Sequence, residues 1–165
     1  MPLLRTIRLR LGLVIVIAIS LGTSACRRGP KVPQGDILAT LTIPSIAGDE
    51  LDPQSLIGKP SLLLFVTPTC VHCLATLPHA IEAARSRNAN VVAIFVSGEA
   101  DRARRVAQQL KFPGPVLLDD GTLRKAYAIG AVPYTLVLAA DGHATDAFTG
   151  EQATSTLAGA LAAAR

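Results

Sequence analysis

The chain has 165 residues, half of them hydrophobic, with 4% aromatic residues, no Trp and a formal net charge of +4. That length suits one domain behind a processed leader, with enough chain to bury an aliphatic core. Arg5, Arg8 and Arg10 lie in the leader, and subtracting these 3 from the 16 Lys and Arg leaves 13 against 12 Asp and Glu; with no stacking aromatics beside a basic patch, nucleic acid is excluded as a partner.

Residues 1–26 have the three parts of an export signal: the three arginines, an apolar run from Leu11 to Leu21, and the small residues Gly22-Thr23-Ser24-Ala25. A permanent span needs about 20 apolar residues, so this run is short for one. Ala25-Cys26 is similar to a bacterial lipoprotein cleavage site, which makes Cys26 a candidate for lipidation. Thr23 stands where such sites usually carry an aliphatic residue. Ordinary signal cleavage or an uncleaved anchor are the alternatives. Residues 27–35 contain two prolines and two glycines and read as a tether. An exported chain works where disulfides persist.

Residues 36–165 then read as one domain. Ile37, Leu41 and Ile43 fall on one face at period two, which predicts a strand ended by Pro44. Gly48-Asp49 supplies a turn, and Asp52-Pro53 opens a short capped helical turn. Ser61 to Thr67 is a near-continuous apolar run, as expected of a central strand covered on both faces. From Cys70 to about Arg87 the pattern is helical, with Leu74, Leu77, Ile81 and Ala84 inward and a kink expected at Pro78. Strands follow at Val91–Val96, Val116–Leu118 and Tyr134–Leu138, with helices at Asp101–Leu110 and Thr122–Ala128 between them. Asp141-Gly142 signals a hairpin into His143–Thr149, and Gln152–Ala164 is an Ala/Leu-rich terminal helix. This order implies an α/β sandwich whose central mixed sheet is flanked by helices, with an N-terminal strand extension.

The chemistry concentrates in Cys70-Val71-His72-Cys73, at the junction of the apolar strand and the long helix. A cysteine at a helix N-terminus meets unpaired backbone N–H groups and the positive end of the helix dipole, which favour thiolate over thiol. Two cysteines at this spacing can close a disulfide, act as nucleophile and resolving thiol, or supply half a zinc site. Zinc needs further ligands, and Cys26, His79 and His143 do not form a second pair. Haem attachment needs His after the second cysteine, where Leu74 stands. A peroxiredoxin pattern finds Thr67 in place but Leu63 where its proline belongs.

The Cys-Val-His-Cys motif after a hydrophobic strand, Pro78 in the next helix and Val132-Pro133 before a late strand together resemble the thioredoxin fold. The segments Asp119 to Leu123 and Ala131 to Gly142 narrow the resemblance to membrane-tethered, extracytoplasmic thioredoxin-like proteins of the TlpA and ResA type. It covers roughly Ile37 to the C-terminus. It implies a thiol–disulfide oxidoreductase with no cofactor beyond a redox-active disulfide and no metal. Its partners would be exported protein thiols or disulfides and a membrane electron donor or acceptor. It would reside in the periplasm or on the outer face of the cytoplasmic membrane, held by an N-terminal anchor or lipid.

The resemblance further implies that Cys70 is the nucleophile, that Cys73 resolves the mixed disulfide, and that the Val132–Pro133 bond is cis, with the Val132 backbone pairing with substrate. His72 would tune the Cys70 thiolate and draw the couple toward DsbA-like oxidising behaviour, whereas the architecture favours a reductase. A copper- or zinc-handling module using Cys70, Cys73 and His72 is the reading from another class. Two departures stand out: Thr69 replaces the usual Trp, and Leu64 occupies the place of a buried carboxylate. Glu82, His72 or water would then have to carry the Cys73 proton.

Overall fold

The computed structural model describes residues 29–46, 51–97 and 100–164. The expected leader with Cys26 and the turn expected at Gly48-Asp49 lie outside the described residues. The elements are α1 (Ile37–Thr40), a 3₁₀ turn (Pro53–Leu56), β1 (Ser61–Val66), α2 (Val71–Arg87), β2 (Asn90–Phe95), α3 (Ala100–Gln109), β3 (Val116–Leu118), α4 (Thr122–Ala126), β4 (Tyr134–Leu138), β5 (Ala144–Thr149) and α5 (Thr154–Ala163).

One sheet runs in the order β3-β2-β1-β4-β5. β1 pairs parallel with β2, and β2 with β3, whereas β4 is antiparallel to both β1 and β5. Every residue of β1 is buried, as its unbroken apolar run requires of a central strand. Its alternate side chains therefore feed two cores. Leu62, Leu64 and Val66 pack with Cys73, Leu77 and Ala80 of α2 and Leu157 and Leu161 of α5. Leu63 and Phe65 face α1, Leu123 and Tyr127 on the other side. Phe65 meets the rings of Tyr127 and Tyr134 edge-on, with centroids 5.8 and 5.9 Å apart.

The N-terminal strand extension is overturned, because residues 37–40 form a helical turn. Asp36 accepts from the Ala39 N–H as N-cap, and Ile37, Leu38 and Leu41 are buried together. The spacing from Ile37 to Leu41 is four, which satisfies a helix face as well as an even-numbered strand pattern. The decision falls to Tyr127, whose hydroxyl bonds Thr40 Oγ1 and reaches the Ile37 carbonyl at 3.3 Å. Further on, Pro44 to Ile46 run along the β3 edge, with Ser45 opposite Leu117, the Ile46 N–H donating to the Val116 carbonyl at 2.9 Å and the Leu118 N–H to the Pro44 carbonyl at 3.1 Å. The adjoining residues 29–35 touch the domain, with Val32 packed on the core and the Tyr134 hydroxyl donating to the Lys31 carbonyl at 3.2 Å.

The long helix buries Leu77 and Ala84 as expected, but not Leu74. Cys73, Thr76, Leu77, Ala80, Ala83 and Ala84 are its buried residues, while Leu74 is 37% exposed. Small alanines on that face let α2 lie close to the sheet and α5. Pro78 sits within the helix on its exposed side, where it cannot donate to the carbonyl one turn back. Asn88 ends the helix in the left-handed region, with its N–H on the last-turn carbonyls of Ala84 and Arg85. Asp119 is buried and caps α4, accepting from the N–H groups of Leu123 and Arg124 at 3.0 Å each. The β4–β5 hairpin turns at Asp141-Gly142 as its sequence signals, with Gly142 at φ +89°.

Candidate active site

Cys70 and Cys73 are free thiols at the start of α2, in different surroundings. Cys70 is the N-cap residue, with extended backbone angles, and is half-buried. Its sulfur accepts from the Cys73 N–H at 3.3 Å, so it occupies the capping position normally held by a side-chain oxygen. The sulfur therefore stands at the positive end of a 17-residue helix. Cys73, one turn in, is fully buried among Leu64, Val66 and Leu77.

Burial is the main reason that the Cys73 thiol is pushed from 9.0 up to about 12, and its hydrogen bond with the Cys70 sulfur adds to this. Hydrogen bonds from the Thr67 backbone and side chain oppose the rise. Thr67, directly after β1, thus belongs to the site although it lies outside the Cys-Val-His-Cys motif. The two sulfurs divide the work physically: one is reachable and capped onto a helix dipole, the other dry and neutral.

The Val132–Pro133 peptide bond is cis. Val132 and Cys70 are both partly buried against the core that contains Cys73, while Pro133 is buried. The Pro133 carbonyl accepts from the Gly150 N–H at 2.8 Å, which joins this loop to the end of β5. Val71 is 72% exposed and, with Leu74, leaves apolar surface beside Cys70.

His72 points at a residue that no local signal links to it. Its Nδ1 lies 2.9 Å from Glu151 Oε2, across 79 positions of sequence. His79, seven residues on, meets the Thr154 hydroxyl at 3.1 Å, so both α2 histidines engage residues 151–154. His143 pairs with Asp141 at the hairpin, away from the cysteines in sequence and structure. Among the described residues no group of three or more His, Cys, Asp or Glu could hold a metal ion. A cavity of about 670 Å³ opens beside α3 and β3, lined by Arg104, Phe112 and Val116, and neither cysteine borders it.

Leu64 is fully buried in the Cys73 core, so that core has no carboxylate at this position. Glu82 does not substitute for it. It chelates Arg85 on the exposed side of α2, at 2.9 to 3.1 Å, and nine residues of helix put it about 13 Å along the axis from Cys73. Across from Leu64 on β4 stands Thr135, whose Oγ1 is the one buried side-chain polar atom without a partner among the described residues.

No protein-family profile matches the chain. It is similar to the methylamine utilization protein MauD of Methylobacillus flagellatus, at 26% identity over 137 residues, covering 81% of this chain. The match spans 64% of that relative's length. Among solved structures it is similar to a secreted Mycobacterium tuberculosis disulfide oxidoreductase homologous to E. coli DsbE, with TM-score 0.68 and 26% identity, covering 78% of this chain and 99% of the other. A DsbE-like thiol:disulfide interchange protein of Chlorobium tepidum superposes with TM-score 0.71 at 18% identity, covering 81% and 99%. Five strands in this order, a cysteine pair opening the long helix and a cis proline before β4 make the chain thioredoxin-like, and both of these structural neighbours are DsbE-related thiol–disulfide proteins.

Proposed function

We propose that this protein is an extracytoplasmic thiol–disulfide oxidoreductase that reduces disulfides in exported proteins, with Cys70 as nucleophile and Cys73 as resolving thiol. One observation carries the reading: a capped, reachable Cys70 and a buried Cys73 one turn apart, in a core that Val132 also borders. The Cys70 thiolate attacks one sulfur of a substrate disulfide, forming a Cys70–substrate S–S bond and releasing the other sulfur as a thiolate, which takes up a proton. Cys73 then loses its proton and attacks Cys70 Sγ, closing the Cys70–Cys73 disulfide and releasing the second substrate sulfur. Two electrons and two protons pass to the substrate, and a membrane donor of two electrons and two protons restores the dithiol.

The Val132 backbone would pair with the substrate chain during the mixed disulfide, and the exposed Val71 and Leu74 would meet its apolar side chains. The reducing direction is the one that the resemblance of the whole domain favours over the single histidine in the motif. Export is supported by the leader pattern of residues 1–26, with Cys26 as the attachment point for lipid. The test is reduction of insulin by dithiothreitol. Cys70→Ser should abolish catalysis, and Cys73→Ser should accumulate a mixed disulfide. Activity retained in Cys70→Ser would overturn the assignment.

A further inference from the structure

We propose that Glu151 is a positioning residue of the exchange site: it holds His72 and offsets its charge at Cys70, biasing the couple toward donating electrons. This rests on the exchange reading above and goes beyond it by naming what decides the direction. A histidine between the two cysteines, taken alone, favours the thiolate and hence the dithiol, which makes an oxidant. Here its Nδ1 is committed to a carboxylate 2.9 Å away. The imidazole is thus tied through Nδ1 to Glu151.

The carboxylate is held in place by the same loop that forms the site. Glu151 follows Gly150, whose N–H is bound by the Pro133 carbonyl at 2.8 Å. Gln152 Nε2 braces the turn by donating to the Gly150 carbonyl at 3.1 Å. Thr154 is secured by His79 on α2. Contacts on either side of Glu151 therefore fix it against the cysteine-bearing helix. For a sulfur near the surface, a cation whose charge is matched at hydrogen-bond distance exerts only the residual field of a dipole. With His72 and Glu151 side chains 67% and 45% exposed, the effect is several-fold, not orders of magnitude.

The test compares the reduced full-length protein with Glu151→Gln, His72→Asn and Glu82→Gln, reading thiolate by its ultraviolet absorbance near neutral pH. Cys73 is silent there, and Cys26 contributes equally to every variant. Glu151→Gln should raise the Cys70 thiolate fraction about two- to fivefold, and His72→Asn should lower it. Both differences should shrink at about 1 M salt, which screens exposed charges. Glu82→Gln removes a carboxylate on the same helix and should change nothing. A Glu151→Gln value within about 1.5-fold of the parent, a decrease, or an equal rise in Glu82→Gln would overturn the proposal. Insulin reduction by the parent separates the two claims: its absence sinks the exchange reading, whereas its presence with an unmoved thiolate fraction sinks this one alone.

Discussion

The resolving step should be limited by proton removal from Cys73, and its pH profile can show this. Burial raises the thiol from 9.0 to about 12, so the neutral form is favoured until the pH approaches the upper value. At pH 7 a thiol at about 12 holds roughly one thiolate in 10⁵, against roughly one in 10² for an ordinary one. In a mixed disulfide Cys70 no longer carries a thiol, so its share of the shift is removed and the share due to burial remains. The rate of Cys73 attack should therefore climb about tenfold per pH unit between about pH 6 and pH 9, with no plateau in that range. The assay loads Cys70 with thionitrobenzoate in a Cys26→Ser chain and follows its release by stopped flow. Thr67→Val removes a hydroxyl that eases Cys73 ionisation and should slow release by about two- to fivefold. A plateau below about pH 8 would refute the reasoning, since Cys73 would then ionise like a solvated thiol.

Three further predictions concern stability. Gly142→Ala should cost roughly 2–3 kcal/mol in urea unfolding, because a Cβ there would lie 2.4 Å from Leu38 Cδ1 in addition to the positive φ. Gly58→Ala has the same backbone problem but open space around its Cβ, and should cost only about 1 kcal/mol. Thr135→Val keeps the shape of a β4 side chain while removing its unpartnered hydroxyl, and should raise stability by about 1 kcal/mol. A loss of stability in Thr135→Val would show that the hydroxyl is satisfied in solution.

The sheet strands and the exchange motif were legible in the sequence because each is written in neighbouring residues. The unbroken apolar run of β1, the cysteines at the helix start and the Asp141-Gly142 turn are local signals, and all three appear as read. The resemblance carried by Cys70, Cys73, Pro78 and Val132-Pro133 also pointed to the cis bond that the structure contains. Where a local signal fitted two periods it failed. The four-residue step from Ile37 to Leu41 suits strand and helix alike, and contacts with Tyr127, 87 positions from Thr40, select the helix. The face of α2 was misjudged at Leu74 because the sheet and α5 accept its alanines and Thr76 instead.

Within the site, the sequence by itself determined which groups can react: two thiols with two residues between them, one of them opening a helix. Only the tertiary structure decided how differently they behave. Cys73 is deprived of water by residues from β1, α2 and α5, and this desolvation, not the motif, raises its thiol to about 12. His72 gains its carboxylate only because β4 and β5 fold back beside β1, bringing Glu151 to it over 79 positions. Side-chain identity supplies chemical capacity along the chain, whereas burial and charge pairing depend on segments that meet only after packing.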